Sequence, residues 1–537
     1  MPLPSSNHGE SFVFLCKYIY LSLTHNPPTI PAPCACFVRH HLVIVLSKQT
    51  PYASSYHQNK HVAKNGVFTN TPHQCSLLAA IPQLPIAYPN TTSYAATQDA
   101  YWSFQEASLA PACIVKPTTS QDVSAIVSKL TASSCPFAIR SRGHAPGAGF
   151  ANIDNGITID LTSLNSIKTN KDASVAQLGP GASWLSVYSY LATLDKVVTG
   201  GRNADVGVGG LILGGGLSFF SPQTGFSCDS VVNFEVVLAS GAIVNANATS
   251  NASLFRALKG GGNNFGVVTR VDMRTLPLPE GKVLGGFIVQ DIRYREDVFN
   301  AFAEIATAKK YDVHASVSMS MSFDTVKGTW MLASAPIYTK QEAAPKVYKK
   351  LFAIPNISSS VKISKLPELV NLPLDPQVHW ALQGGTYGAS AKLISRIFDI
   401  LNEDFRKLKI PGSLQWTATY APLPTVLMAQ GENQNVMGTA VDQGNALILY
   451  IIASWTDSAS SPQVYAKAKE IVDRIDALAK RMGLKHDFLY ANMIGTDQKP
   501  YVSYGAKNHA FLRQVAKQYD PRGVFQKLVP GGYKLNA

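Results

Sequence analysis

The feature that most constrains this chain is a glycine-rich loop at residues 140–150, which lies between two short predicted strands. Residues 136–139 form an apolar run, and residues 157–161 alternate apolar and polar side chains, as strands do. The loop contains three glycines, two arginines and one histidine, His144. Glycine lets backbone N–H groups approach an anion closely, and neighbouring arginines suit a diphosphate. The alternative is an ordinary turn with a solvated histidine, because short glycine motifs also occur without a ligand.

A second glycine-rich stretch, at residues 200–216, predicts a surface for a flat ligand. It holds eight glycines in seventeen residues, so we expect neither a stable helix nor a well-packed strand there. Its interleaved apolar residues, such as Val206, are too frequent for a flexible linker. The spacing of Gly207, Gly209 and Gly210 does not fit the dinucleotide fingerprint GxGxxG. The stretch therefore favours backbone lying against a large planar cofactor.

Composition excludes several classes of function. A chain of 537 residues can form two or three domains, and 46% apolar with 15% charged residues is typical of a folded globular enzyme. No run of eighteen apolar residues occurs, so we expect no membrane span. The net charge of +13 is spread along the chain without a basic block, which disfavours nucleic acid binding. None of the seven cysteines forms a CxxC pair, so we expect no metal site.

The first loop resembles that of the flavin-linked oxidases related to berberine bridge enzyme. That family carries a Gly-Gly-His signature, and its histidine is bonded covalently to the flavin ring. Residues 140–144 read Arg-Ser-Arg-Gly-His, with Arg142 where a glycine is usual. Residues 261–269 closely resemble the family's Gly-Gly-Asn-Phe-Gly-Ile-Val-Thr element. Because several such elements follow the family's order over residues 107–278, the chain is identified as a member, of the fungal type.

The resemblance implies an α+β fold with two parts. The first is a PCMH-type FAD-binding domain of two subdomains, as in the vanillyl-alcohol oxidase superfamily. The second is a substrate domain with an antiparallel sheet and helices on one face. The sequence pattern agrees, because residues 315–322 and 446–452 read as strands, and residues 391–408 and 463–482 read as amphipathic helices.

We predict five segments along the chain. The Pro-rich and His-rich beginning differs from the rest and is expected to be a disordered leader outside the working protein. Cys75 follows it and can pair with Cys113 or Cys135, between which the sequence does not choose. In chain order, the segments are the leader at 1–72, the start of the FAD domain at 73–106, the PCMH-type FAD-binding domain at 107–278, the substrate domain at 279–480, and a C-terminal segment at 481–537 that returns to the FAD domain.

The resemblance also implies how FAD is held. His144 is the expected point of covalent attachment. Many members form a second bond through a cysteine, but Asn203 occupies that position here, so we expect no second covalent bond. The residues expected to bind the cofactor are Arg140, Ser141, Arg142, Gly143, His144, Gly149, Asn203, Val206, Gly207, Gly209, Gly210, Gly214, Gly266, Val267, Val268 and Asn492.

The usual catalytic base of the family is missing. Asn492 matches the asparagine beside the flavin, but the tyrosine that follows it in several relatives is Met493 here. A thioether cannot take a proton from a substrate hydroxyl. Tyr490 would share a face with Asn492 if this segment were a strand, so Tyr490 is the candidate base, with a packing role as the alternative. His379 and Tyr387, in the predicted roof over the flavin, are the next candidates.

The resemblance implies an FAD-dependent oxidoreductase that transfers hydride from a small organic substrate to the flavin, with O2 as the expected electron acceptor. Two other classes stay open: an oxidative cyclase or dehydrogenase of secondary metabolism, and a non-catalytic flavin- or carbohydrate-binding protein. Four glycosylation sequons predict a secreted glycoprotein, although residues 1–30 show no clear signal peptide. The sequons begin at Asn90, Asn247, Asn251 and Asn356.

Overall fold

The computed structural model describes residues 71–373, 375, 377–439 and 441–536. All but the last two residues of the predicted leader, 1–72, lie outside the described residues. The described chain is built on three main β-sheets with helices packed against them.

The first sheet is made of four short strands, β1 Ile86–Ala87, β2 Cys113–Val115, β3 Phe137–Arg140 and β4 Ile157–Asp160. Their order is β1-β2-β4-β3, and β2, β4 and β3 are parallel. The helix Ser120–Ala132 connects β2 to β3 and begins with a capping box between Thr119 and Asp122. This crossover places the end of β3, where the His144 loop begins, beside the end of β4.

The second sheet and a small ladder share the next seven strands, β5 Ile167–Thr169, β6 Val175–Leu178, β7 Lys196–Val197, β8 Val231–Val237, β9 Ile243–Asn247, β10 Val267–Arg274 and β11 Leu276–Pro277. The sheet is antiparallel in the order β5-β6-β10-β8-β9, and β7 pairs with β11. Trp184 and Phe234 are fully buried in the core on this sheet.

The third sheet contains the remaining strands, β12 Lys282–Gly285, β13 Ile288–Gln290, β14 Ala315–Asp324, β15 Thr329–Tyr338, β16 Ser358–Ser359, β17 Lys362–Lys365, β18 His379–Gly388, β19 Ser413–Leu423, β20 Ala446–Trp455 and β21 Lys485–His486. Its pairs are antiparallel, in the order β16-β13-β15-β14-β19-β20-β18-β21, and β12 joins β15 to β17. The helices Arg295–Ala306, Ala391–Arg406 and Ser461–Arg481 share one core with this sheet.

Alternation along the strands gives the third sheet two different faces. On β14, Val317, Met319 and Met321 pack into the helix-side core, so Ser318 and Ser320 point to the opposite face. On β20, Leu449 and Ile451 join the helices. Ile448 and Tyr450 join the core of the second sheet instead. The polar face of the third sheet therefore covers the first part of the chain.

Shorter helices connect the sheets, and the C-terminal segment packs back on the first two. Leu512 and Val515 belong to the core that contains Trp184. Phe525 contacts Phe137 of β3 edge to face. The remaining described α-helices are Thr71–Ala79, Thr92–Gln98, Phe104–Ala107, Trp184–Ala192, Val208–Leu213, Ser221–Thr224, Ala252–Leu258, Lys349–Ala353, Leu366–Val370, Thr425–Gln430, Pro500–Ser503, Ala506–Tyr519 and Val524–Lys527.

The predicted α+β fold, with an antiparallel sheet and helices on one face, is confirmed. The two amphipathic helices are present at Ala391–Arg406 and Ser461–Arg481, within two residues of the predicted bounds. The domain boundaries stay predictions. One local expectation is wrong, because the helix Val208–Leu213 forms inside the glycine-rich stretch. Val208 and Ile212 are fully buried, and this packing outweighs the low helix propensity of glycine.

The two cysteine alternatives are resolved in favour of a Cys75–Cys113 disulfide. Cys135 is a buried free thiol, and its burial raises the pKa of that thiol to about 12.

We expect the double substitution Cys75→Ser with Cys113→Ser to lower the free energy of unfolding by about 2–5 kcal/mol, because the disulfide restricts the unfolded chain. Denaturant titration measures this difference. Cys135→Ala is the matched control, since it removes a buried thiol without breaking a bond. An equal, small loss in both proteins would contradict a stabilising disulfide.

Candidate functional site

The His144 loop has a defined shape because its two ends are held. Arg140, the last residue of β3, forms a 3.0 Å ion pair with Asp160, and both side chains are buried. Gly143 has a φ of 74°, a region that disfavours other residues. A side chain at Gly143 would also collide with the ring of Tyr101. The sequence therefore specifies a tight turn immediately before His144.

The loop carries a run of backbone donors that the described chain does not use. Among described residues, no oxygen accepts a hydrogen bond from the N–H groups of residues 142–145. The buried Nε of Arg140 also has no hydrogen-bond partner in the described chain. Successive free N–H groups form a concave site for an anion. These donors fit the negatively charged diphosphate of a dinucleotide cofactor.

His144 lies beneath an aromatic stack. Its imidazole is 4.5 Å from the Trp102 ring at 15°, and Trp102 is in turn 4.8 Å from Trp380 of β18 at 8°. Burial lowers the pKa of His144 to about 4. The imidazole is therefore neutral at physiological pH, with a lone pair available on one ring nitrogen.

The second glycine-rich stretch lies against this loop. The Ser141 hydroxyl donates a 2.6 Å hydrogen bond to the carbonyl of Pro180, and Arg142 approaches Asp205 to 3.9 Å. A side chain at Gly207 would collide with Ser141 and Arg142. Glycine at this position thus permits the close approach of the two segments.

Asn492 of the C-terminal segment reaches the same stretch. Its side-chain amide donates to the carbonyl of Leu211 at 2.9 Å and to the hydroxyl of Tyr490 at 3.2 Å. Its amide oxygen lies where a side chain at Gly214 would be. Residues distant in sequence therefore meet beside the helix Val208–Leu213, which contains Gly209 and Gly210.

The structure does not bring every predicted cofactor residue to this place. Gly266, Val267 and Val268 open β10, and the two valines are buried in the cores around the first two sheets. A side chain at Gly266 would meet Val236. These contacts alone account for the apolar character of the segment, and its role in FAD binding stays a prediction.

The three other predicted residues have local roles in the described structure. The Asn203 side chain accepts a 3.1 Å hydrogen bond from the backbone of Asp205. Val206 packs on the core of the second sheet. Gly149 has a φ of 85° and lies against Gly531 of the C-terminal tail. Their contacts with a cofactor stay predictions.

Tyr490 lies in a different environment from the one expected. The segment is not a strand, since Ala491–Met493 forms a 3₁₀ turn. Tyr490 is 1% exposed and stacks on Phe226. Burial raises its pKa to about 12, although the hydrogen bond from Asn492 acts in the opposite direction. A raised pKa makes Tyr490 a poorer base at neutral pH.

Tyr387 and His379, the next candidates for the catalytic base, contact other residues of the third sheet and its helices. Tyr387 packs in the helix-side core and donates a 2.6 Å hydrogen bond to Asp476. His379 is buried and stacks on Trp455 at 5.3 Å. Tyr387 therefore faces away from the first part of the chain.

Tyr450 is a functional candidate that the sequence did not reveal. It pairs with Gly384 of β18 on one side and Thr419 of β19 on the other. A side chain at Gly384 would collide with the carbonyl of Met493. The row of paired residues that contains Gly384 and Tyr450 therefore lies directly over Met493, the residue at the position of the family's usual base. In the described chain the Tyr450 hydroxyl has no hydrogen-bond partner, and it is not sealed from solvent. Tyr450 reaches this position only through the register of β20 with its two neighbours. The alternation of residues 446–452 was the one feature of the sequence that could have pointed to it.

A small polar cavity of about 20 Å³, enough for about one water molecule, lies between the first part of the chain and the third sheet. Arg202, beside Asn203, lines it together with hydroxyl-bearing residues from both sides. No carboxylate in the described chain forms an ion pair with Arg202. The hydroxyl-bearing residues of its lining are Ser218, Ser221, Tyr311 and Ser316.

The described residues contain no cluster of three or more side chains suited to hold a metal ion. No helix in this part of the chain is long and apolar enough to cross a membrane.

Comparison with known proteins agrees with this geometry. Residues 111–247 match the family described as FAD binding domain. The chain is 34% identical to FAD-dependent monooxygenase FUP4 of Fusarium proliferatum over 454 residues, 81% of this chain and 87% of the relative. It is 33% identical to FAD-dependent monooxygenase sdcF of Emericella nidulans, over 84% of this chain and 96% of that one.

Solved structures share the fold. 6-Hydroxy-D-nicotine oxidase from Arthrobacter nicotinovorans superposes with a TM-score of 0.70 at 21% identity, covering 85% of this chain and 99% of the other. Glucooligosaccharide oxidase from Acremonium strictum, whose FAD is 6-S-cysteinyl and 8α-N1-histidyl, gives 0.69 at 19% identity, covering 84% and 97%. By its matched domain, its fold and its fungal relatives, the chain belongs to the berberine bridge enzyme-like family of FAD-linked oxidoreductases.

Proposed function

We propose that this enzyme holds FAD covalently through His144 alone and transfers hydride from a small organic substrate to it. The observation that carries the proposal is the neutral His144 beside four unused backbone N–H groups. Together they fit a cofactor with an attachment point and an anionic diphosphate. The flavin, when bound, supplies hydride acceptance, and the protein supplies binding, orientation and proton removal.

Several residues of this chain support the binding role. Arg140 and the N–H groups of residues 142–145 would hold the diphosphate. Asn492 presents an amide beside Gly214, where the edge of a planar ring can approach. Asn203 offers no thiol, so a second covalent bond is not expected.

Tyr450 and Tyr490 are the two candidates for the base. Tyr450 lies over Met493, and its hydroxyl has no hydrogen-bond partner in the described part of the chain, whereas Tyr490 is buried with a raised pKa. These observations favour Tyr450 as the group that receives the substrate proton.

The substrate is expected to be rich in oxygen. Hydrogen-bonded hydroxyl pairs, Ser320 with Thr419 and Ser322 with Thr417, cover the polar face of the third sheet. Arg202 adds a positive charge to the cavity below. Hydroxyl, carbonyl or carboxylate groups would satisfy these donors.

Anaerobic mixing tests the proposed function. Sugars, benzylic alcohols and phenolic acids would be added to the purified yellow protein, and flavin absorbance would be followed. We expect one class to bleach the flavin, and O2 to restore the colour with release of hydrogen peroxide. Flavin that no compound bleaches would favour a non-catalytic flavin-binding protein.

We also propose that the protein is secreted. Asn90 and Asn356 are exposed, so their sequons are accessible to glycosylation. We expect protein from a fungal host to lose mass on treatment with an N-glycosidase. A truncated protein that begins at residue 72 should retain its flavin, and failure of that protein to fold would contradict a dispensable leader.

A further inference from the structure

The segment between β1 and β2 holds the His144 loop at three points. The backbone N–H of Trp102 donates to the carbonyl of Gly143 at 3.1 Å. The Ser103 hydroxyl donates to the carbonyl of Ala145 at 3.4 Å. The Trp102 ring covers the imidazole of His144 itself. The residues on either side of His144 are thus bonded to two adjacent residues of a distant segment.

The substrate domain holds this segment in turn. The indole N–H of Trp102 donates to Asp375 at 3.0 Å. Gln105 exchanges two hydrogen bonds with the backbone of Trp380, at 2.7 and 3.1 Å. The Trp380 ring stacks on Trp102, which in turn stacks on His144. The orientation of the His144 ring is therefore linked to β18 through one indole.

We propose that Trp102 is a positioning residue for flavin attachment, and that the substrate domain acts on the attachment through it. This inference rests on the proposed function. In the attachment, the new C–N bond replaces one C–H bond of the flavin methyl group and the N–H bond of the imidazole. Two protons and two electrons are released. The electrons pass through the flavin ring to O2, which becomes hydrogen peroxide.

The stack supports this role in two ways. Stacked aromatic rings attract each other beyond the effect of their buried area, so the indole restricts rotation of the imidazole. The indole also covers one face of His144 and so contributes to the burial that lowers the pKa of the imidazole. A flat phenyl ring preserves both effects, whereas a methyl group preserves neither.

The test is the rate of covalent attachment after FAD is added to protein from riboflavin-starved cells. We expect Trp102→Ala to bind FAD but attach it about 10- to 100-fold more slowly, because a displacement of about 1 Å can cost roughly 10²-fold. Trp102→Phe should recover most of the rate. Asp375→Ala, in the substrate domain, should slow attachment by a smaller factor.

Trp330→Ala is the matched control. Trp330 is also partly buried, stacks on aromatic rings and donates its indole N–H to a side chain, Asn402. It lies in the helix-side core, so its removal should leave the attachment rate unchanged. Wild-type attachment at His144 with an equal rate in Trp102→Ala would overturn this inference alone. A wild-type protein without covalent flavin would overturn the proposed attachment and this inference together.

Discussion

His144→Ala should release all of its flavin on acid precipitation, whereas the wild-type protein should stay yellow. The imidazole is the expected attachment point, and Asn203 provides no second nucleophile. The free N–H groups of residues 142–145 remain in the variant, so FAD should still bind before the acid is added. Absorbance of pellet and supernatant measures the two fractions.

The matched control is His314→Ala, which removes a histidine that hydrogen-bonds to Thr339 at the end of β15. That variant should keep its covalent flavin. Because the pKa of His144 is about 4, its ring is neutral above that pH. Attachment should therefore proceed at pH 5.5 nearly as fast as at pH 7.5, whereas an ordinary histidine would be mostly protonated at pH 5.5. Flavin retained by His144→Ala through acid would contradict attachment at this residue.

Tyr450→Phe should lower the rate of flavin reduction by a reducing alcohol by roughly 10²- to 10⁴-fold, the usual contribution of a general base. Hydride transfer from the carbon leaves a hydroxyl whose proton must go to a positioned acceptor. Among the described residues the Tyr450 hydroxyl has no hydrogen-bond partner, and Tyr450 lies in the sheet row over Met493. Stopped-flow absorbance measures the rate, and the covalent flavin content should be unchanged.

Tyr420→Phe is the control for this prediction. In the described chain the hydroxyl of Tyr420, on β19, also has no hydrogen-bond partner, but this side chain is fully buried and faces the helix-side core. Its loss should leave the rate unchanged. Tyr490→Phe decides between the two candidates: a large loss there, with none in Tyr450→Phe, would return the role to Tyr490.

The loop that we expect to bind FAD could be recognised in the sequence because its parts are contiguous. The tight turn at Gly143, the arginine at position 140 and His144 all fall within five residues. The long amphipathic helices were also predictable, since their period is local. The helix Val208–Leu213 was not, because it depends on the burial of Val208 and Ile212 rather than on propensity.

The surroundings of the site depend on contacts between residues that are far apart in the sequence, and no local sequence pattern predicts such contacts. Trp102 and Asp375 are 273 residues apart and meet through the docking of a loop on β18. Tyr450 lies over Met493 only because of the register of β20 with β18 and with β19. For Tyr490, burial raises the pKa, and the nearby positive charge of Arg202 lowers it by less.

The most direct test of the account is mass spectrometry of the peptides released by digestion of the purified wild-type protein. The account predicts one flavin-bearing peptide, which contains His144, and an unmodified peptide that contains Asn203. A flavin on any other peptide, or flavin that leaves the denatured protein entirely, would contradict it.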